Sequence, residues 1–331
     1  MGYRAEKEKI EKKIRIIKIV LLCIGLAVIV GLCVFSAFCP PASWKYYVKK
    51  PKMEKREDGE LRIHFIDVGQ GDSTLIELPD GKVALIDGGN ATQTTENAIL
   101  RHLNALKIDT IDYPVVTHTD SDHCGSLAKI LQYKKVLNAY LPATNPENAG
   151  ETYAKFYQEL LEENSTLHYA HRQVILDGVG EYAYRFSFLY PYLYDIKNAA
   201  DYLEESSVMW LDYKGASAIF TGDAGMDAET ALVRDSELGF LSDFGIDLKS
   251  TEILKVGHHG SAYSTSADFL RYLNVKVAVV SCGAGNEYGH PSQEVIDRVA
   301  DAGADLFRTD IHGTVTVSVK ENGILTLKTA K

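Results

Sequence analysis

Thr117-His118-Thr119-Asp120-Ser121-Asp122-His123 follows a hydrophobic run, Ile111 to Val116, that reads as a strand. Four potential ligands fall within six residues. Imidazole and carboxylate are donors that Zn²⁺, Mn²⁺ and Fe²⁺ accept. The H-x-D-x-D-H spacing lets alternate side chains of an extended turn converge on one point, and so dense a cluster is rare in a merely solvated acidic turn. The stretch is therefore expected to lie on a loop and to bind metal through His118, Asp120, Asp122 and His123.

Two later strand ends carry the same logic. Ile219-Phe220-Thr221-Gly222-Asp223 puts a carboxylate just past a hydrophobic strand, and Leu254-Lys255-Val256-Gly257-His258-His259-Gly260-Ser261 puts a histidine pair past another. Alone, an Asp after Gly reads as a turn or a helix cap. The three stretches in this order make a much stronger case.

Three further stretches join them: Asp67-Val68-Gly69-Gln70-Gly71-Asp72-Ser73, Ile86-Asp87-Gly88-Gly89 and Asn286-Glu287-Tyr288-Gly289-His290-Pro291. On these motifs, residues 61–331 resemble metallo-β-lactamase-fold hydrolases, specifically the branch containing the metallohydrolase domain of ComEC-type DNA-uptake proteins. The resemblance implies an α/β fold, an αββα sandwich with its metal site at the open edge between the sheets. It implies two divalent ions, Zn or Mn, one held by His118 and Asp120 and a second by Asp122, His123 and a histidine of the 258–259 pair, with Asp223 bridging. Ions roughly 3.5–4 Å apart would share a hydroxide and clamp a substrate oxygen. His258 is taken as the ligand of the pair, although the sequence does not separate it from its neighbour. Asp122 and His259 are taken as the catalytic groups, His259 donating to a developing oxyanion. Asp72 and Asp87 are expected behind the ligands, orienting them, with turn capping the rival reading of Asp72. Asn286, Tyr288, His290 and Ser261 are expected to contact substrate.

The chain departs from the wider superfamily's H-x-H-x-D-H at Asp120, as that branch does. An oxygen-rich first site is more compatible with Mn²⁺ than an all-histidine one. Where relatives show Asn before the strand leading to T-G-D, this chain has Glu204-Glu205-Ser206-Ser207. The third ligand of the first metal therefore stays open between these glutamates and none at all.

Around the motifs, strands are expected at 61–68, 74–78, 82–86, 111–116, 172–177, 181–190, 207–213, 216–221, 252–256, 275–281 and 313–319. Helices are expected at 95–106, 126–131, 151–163, 225–235, 265–273 and 292–302. Seven tyrosines between Tyr182 and Tyr213 suit either strand packing or a stacking platform for bases.

The N-terminus is of another kind. Ile19 to Cys39 has no formal charge, enough for a helix crossing roughly 30 Å of hydrocarbon. Residues 1–18 form a basic segment with seven Lys/Arg, and 40–60 read as a charged linker. The basic cluster abutting the span favours a cytoplasmic N-terminus and an exported catalytic domain. A cleaved signal peptide, giving a secreted enzyme, is the rival.

Thirteen of 35 basic residues but only 7 of 45 acidic ones precede Leu61, which leaves 61–331 at a formal −16. That argues against a broad nucleic-acid-binding surface. The expectation is a membrane-anchored binuclear-metal hydrolase, a phosphodiesterase whose substrates extend to DNA or RNA. No nucleotide cofactor is implied and the oligomeric state stays open. The alternatives are hydrolysis of a small phosphoester such as a phosphocholine cell-wall decoration, or of a lactone or lactam. A different class is a non-catalytic component of an envelope or DNA-uptake complex.

Overall fold

The computed structural model describes residues 2–38, 41–192 and 206–331 and divides into two compact units, 1–49 and 50–331. In the first, helix α1 (Gly2–Phe38) is long and apolar enough over Glu6–Ala37 to be a candidate membrane span. Its apolar side chains, Ile10 to Phe35, are exposed. Cys39, the last residue of the expected span, lies outside the described residues.

The second unit is a two-sheet sandwich. The first sheet uses β1 (Leu61–Phe65), β2 (Thr74–Glu77), β3 (Val83–Ile86), β5 (Tyr113–Val115), β7 (Asn138–Leu141), β8 (Thr166–Tyr169), β15 (Val315–Val319) and β16 (Leu325–Thr329), in the order β16-β15-β1-β2-β3-β5-β7-β8. The second uses β9 (Arg185–Tyr190), β10 (Val208–Tyr213), β11 (Ala216–Phe220), β12 (Thr251–Lys255), β13 (Val277–Val280) and β14 (Asp305–Arg308), in the order β14-β13-β12-β11-β10-β9. A small pair, β4 (Thr110–Ile111) and β6 (Lys135–Val136), stands apart.

Side-chain alternation explains the layering. On β1, Leu61, Ile63 and Phe65 enter the core shared with Phe186 and Phe188 of β9 and Phe220 of β11. Full burial of such a side chain is worth roughly 1.5–3 kcal/mol. Arg62 and His64 point the other way, where helix α2 (Gln93–Leu106) brings the His102 ring to 4.9 Å from His64. On the far side of the second sheet, Trp210, Ile219, Leu254 and Val280 pack with Leu232, Phe269 and Val295 of later helices. The arrangement is the αββα sandwich.

The expected strand at 172–177 is reduced to isolated bridges, Ile175 with Ser187 and Gly178 with Tyr184. Gln173 has φ +95°, and Asp177 Oδ1 accepts the Phe186 N–H that a ladder would have used. That strand's expected partner begins at Arg185 rather than 181. Tyr184, Tyr190 and Tyr213 are buried, Tyr184 and Tyr213 in the inter-sheet core, so they form no base platform; Tyr194 and Tyr202 lie outside the described residues.

Candidate metal centre

Five strands deliver the site. β3, β5, β11, β12 and β13 each run parallel to a sheet neighbour, and Asp87, the His118–His123 stretch, Asp223, the 258–259 pair and Ser281 follow their carboxyl ends. Carboxyl ends of parallel strands are where α/β sheets open a crevice. The His118–His123 stretch is not wholly a loop. Asp120 stands at the N-cap of α3 (Ser121–Cys124) and its carboxylate makes no capping bond, while Asp122 and His123 sit in the single helical turn. Helical spacing, rather than an extended alternation, separates their side chains.

Asp87 organises the donors from behind. It is 1% exposed and has φ +60°, a left-handed conformation that Asp tolerates better than most residues. Its carboxylate accepts from Thr117 N (2.8 Å), Thr117 Oγ1 (2.7 Å) and His123 Nδ1 (2.8 Å). With its hydrogen given to Asp87, Thr117 Oγ1 accepts from His118 Nδ1 at 3.1 Å. His259 Nδ1 donates to the Ser281 carbonyl at 3.0 Å. The bonding pattern thus assigns one tautomer to all three rings, with Nδ1 protonated and the Nε2 lone pair free.

Those Nε2 atoms converge on Asp223. Asp223 Oδ1 lies 3.1 Å from His123, and Oδ2 lies 3.9 Å from His118, 3.7 Å from His259 and 3.6 Å from His258. Asp122 Oδ2 is 3.2 Å from His259 Nε2, and Asp120 Oδ2 is 3.6 Å from His118 Nε2. Gly222 makes the Asp223 turn possible: φ is +50°, and a Cβ there would stand 2.3 Å from Ser206 Oγ. That same oxygen accepts the Asp223 N–H at 3.0 Å.

The electrostatics are those of a cation trap. Burial alone would lower His123, but the carboxylates of Asp223 and Asp87 overcome it and hold the imidazole well above its ordinary range. Burial likewise opposes the charge on His259, and Asp72, Asp122 and Asp223 raise it nonetheless. Asp122, despite a burial effect that raises it, is held at about 2 by His259 and His123, and Asp223 is pushed well below the carboxylate range. Asp120 is lowered by its bond to His118.

The residues fit divalent cations. One ligand atom each from Asp72, His123, Asp223 and His259 lies within 4.8 Å of the others. Both carboxylate oxygens of Asp72 and Oδ1 of Asp223 are buried with no hydrogen-bond partner. His123 Nε2 and His259 Nε2 stand 3.3 Å apart, two lone pairs face to face in these tautomers. A cation between them supplies what the neutral rings lack.

Against the sequence reading, His259 and not His258 enters this buried quartet. Both residues have left-handed backbones (φ +53° and +47°), which turn His259 inward at 2% side-chain exposure and leave His258 at the rim at 46%. Asp72, expected behind the ligands, belongs to the quartet and lies on the Nδ1 side of both rings, its Oδ2 3.9 Å from His123 Nδ1 and 4.0 Å from His259 Nδ1. Tyr288 and His290 do line the rim: their rings stack at 5.7 Å, and His290 meets His258 at 5.8 Å. Asn286 and Ser261, expected to touch substrate, spend their polar atoms within their own turns. Asn286 bonds Gly283 O, His290 O and His290 N, and Ser261 Oγ accepts from Tyr263 N. Glu204 and Glu205 lie outside the described residues. Thr117, Ser206 and Ser281 carry no ligand signature, and their contacts with the donors emerge only from the folded geometry.

The family profile of the metallo-beta-lactamase superfamily matches residues 66–284. Among curated proteins, the chain is 29% identical over 279 residues to ComE operon protein 3 of Bacillus subtilis (strain 168), covering 79% of this chain and 33% of that protein. It is 31% identical over 267 residues to Competence protein ComA of Neisseria gonorrhoeae, covering 81% of this chain and 33% of that one. The chain thus spans about a third of the length of these relatives. Among solved structures, Igni18, described as a novel metallo hydrolase from Ignicoccus hospitalis KIN4/I, shares 16% identity at a TM-score of 0.48, covering 78% of this chain and 98% of that one.

Proposed function

The chain belongs to the metallo-beta-lactamase superfamily, and from that premise we propose a membrane-anchored phosphodiesterase that holds two divalent ions, Zn or Mn, with its catalytic unit outside the cytoplasmic membrane. The observation that carries the reading is the convergence of three Nε2 atoms, each with its Nδ1 committed, on the Asp223 carboxylate. His118, Asp120 and Asp223 would hold one ion. Asp122, His123, His259 and Asp223, with Asp72 beside them, would hold the other. Such ions polarise a phosphoryl oxygen and bring the pKa of water to about 7.

The chain's own groups supply the rest. Asp87 and Ser281 fix the imidazoles, so no reorganisation is needed when charge develops at the reacting phosphorus. His258, half exposed and 3.6 Å from Asp223, is placed to give a proton to the departing oxygen. Tyr288 and His290 present ring faces and edges beside it.

Nucleic acid is the favoured polymer if the substrate is a polymer, because one relative is named a competence protein. A second reading, a small phosphoester, is favoured by a cleft of about 280 Å³ beside Asp120. Thr119, Ser121, Asn148, Glu151 and Thr152 line it, with no basic side chain among them, and the body is acidic. The deciding experiment sets single-stranded DNA against a chromogenic phosphodiester, using the full chain with Mn²⁺ or Zn²⁺ at fixed salt. Cleavage of neither by metal-loaded protein overturns the phosphodiesterase reading. Cleavage of the small ester alone selects the second.

A further inference from the structure

Lys255 closes β12 and is buried beside the metal centre, with its side chain 3% exposed. Its Nζ lies 2.5 Å from Asp72 Oδ2, whose side chain is 4% exposed. The same Nζ donates to the carbonyl of Val256 at 2.9 Å and to that of Gly222 at 3.4 Å. An ammonium has three hydrogens. Here two hydrogen bonds and one ion pair reach three different ligand-bearing segments: the residue before Asp223, the residue that leads into His258-His259, and, through the ion pair, the turn that carries Asp72.

Asp72 is tied down at its backbone as well. Its N–H donates to Asp122 O at 3.0 Å, and its carbonyl accepts from Gly89 N at 2.7 Å. The carboxylate therefore has one place to go, between Lys255 and the cluster of His123, Asp223 and His259. A buried ion pair is a weak source of net stability, because the desolvation of both charges offsets most of their attraction. An apolar side chain of the same length would fill the space at less cost in desolvation. What it would not do is hold three ligand segments from a single point.

We propose that Lys255 is a positioning residue of the metal centre, a buried side chain that clamps the turns carrying Asp72, Asp223 and His259 into the geometry that captures divalent ions. It also offsets one of the five carboxylates (Asp72, Asp87, Asp120, Asp122 and Asp223) gathered there, so the metal-free centre keeps its donors together instead of letting like charges spread. Too buried to meet substrate, Lys255 acts only through the groups it holds.

The inference rests on the metal-hydrolase reading, and the test separates the two. Affinity and stoichiometry for Mn²⁺ and Zn²⁺ are measured by equilibrium dialysis and calorimetry on the full chain in detergent, for the native protein and for K255M, K255Q and K255R. K255Q keeps donors for the two carbonyls and loses the charge, and K255R keeps the charge. The expected result is a loss of about 10–100-fold in affinity for at least one ion in folded K255M and K255Q, with partial recovery in K255R. Folded K255M or K255Q that binds both ions like the native chain overturns the clamp and leaves the metal-hydrolase reading standing. A native chain that binds no metal overturns that reading itself. If all three variants, K255R included, fail to fold while native protein folds, Lys255 is a folding element and the inference falls.

Discussion

His123 Nε2 and His259 Nε2 lie 3.3 Å apart, one delivered by the turn after β5 and the other by the turn after β12. Each ring has its opposite nitrogen bound to an acceptor, Asp87 for one and the Ser281 carbonyl for the other. Two such atoms in neutral rings cannot hydrogen-bond to each other, so a proton or a metal ion must mediate the contact.

That relationship makes Asp87→Asn informative. The backbone tolerates Asn at φ +60°, but the amide turns a donor toward one of the Thr117 and His123 donors. The His123 tautomer is then no longer enforced. Metal affinity is expected to fall about 10–100-fold while the fold persists. Metal content by mass spectrometry alongside circular dichroism reads both.

His258 and His259 should separate. His259→Ala removes a buried donor of the quartet and should strip bound metal. His258→Ala should leave metal content unchanged and lower turnover by about 10²-fold, the scale of a lost proton donor. Equal metal loss in both variants would put His258 among the ligands after all.

The pH dependence has a definite sign. His123 and His259 are raised by their carboxylate neighbours, so the metal-free fold holds protons that a free imidazole has lost. Metal must displace them, so affinity should strengthen as pH rises through the raised values, with proton release detectable by calorimetry in buffers of different ionisation enthalpy. For the metal-free chain the folded state then binds more protons than the unfolded one. The histidine contribution to stability is full below about pH 6.5 and fades as pH rises through the folded values. Asp122, at about 2, and Asp223 act oppositely, their contribution present above the ordinary carboxylate range and lost as pH falls through their lowered values. Thermal melts of chelated protein across pH should show both flanks.

Gly125→Ala tests how closely the ligand helix is seated. Its φ is −54°, so conformation is not the obstacle. A Cβ would stand 2.3 Å from Ala91 N and 2.4 Å from Ser121 O, both backbone atoms. Forcing them apart should cost about 1–3 kcal/mol or more and shift Asp122 and His123. A lower denaturation midpoint together with reduced metal content is expected.

Away from the centre, Glu77 accepts from His64 Nε2 at 3.0 Å and pairs with Arg62 Nε at 2.8 Å, all three buried. Glu77→Ala leaves the guanidinium without its carboxylate, which should cost about 3–5 kcal/mol. Chemical denaturation of the variant, with metal saturating, checks it without reference to catalysis.

Much of the sandwich was legible because its central strands announce themselves. Thr74–Glu77 and Val83–Ile86 flank a Pro79-Asp80-Gly81 turn, and both are buried on both faces. β8, β14 and β16 were not legible: they border their sheets, carry half-exposed or exposed residues, and lack an apolar run. At the site, residue types crowded within one stretch could be read from 117–123. What could not be read was direction. Two consecutive left-handed residues decide which histidine faces in, and no periodicity encodes that. Nor does local sequence show that the turn at Asp72 meets the end of β12, because 183 positions separate Asp72 from Lys255. Of the 38 carboxylates over 61–331, five (Asp72, Asp87, Asp120, Asp122 and Asp223) gather at the centre.

The most direct measurement is the metal content of the full chain, purified in detergent, stripped with chelator, dialysed against Mn²⁺ or Zn²⁺ and read by mass spectrometry beside Asp223→Ala. The expected result is about two ions per native chain and no more than about one in the variant, since Asp223 faces every imidazole of the centre. A native chain that takes up no metal, or a variant that takes up as much as the native chain, would contradict a centre built on Asp223.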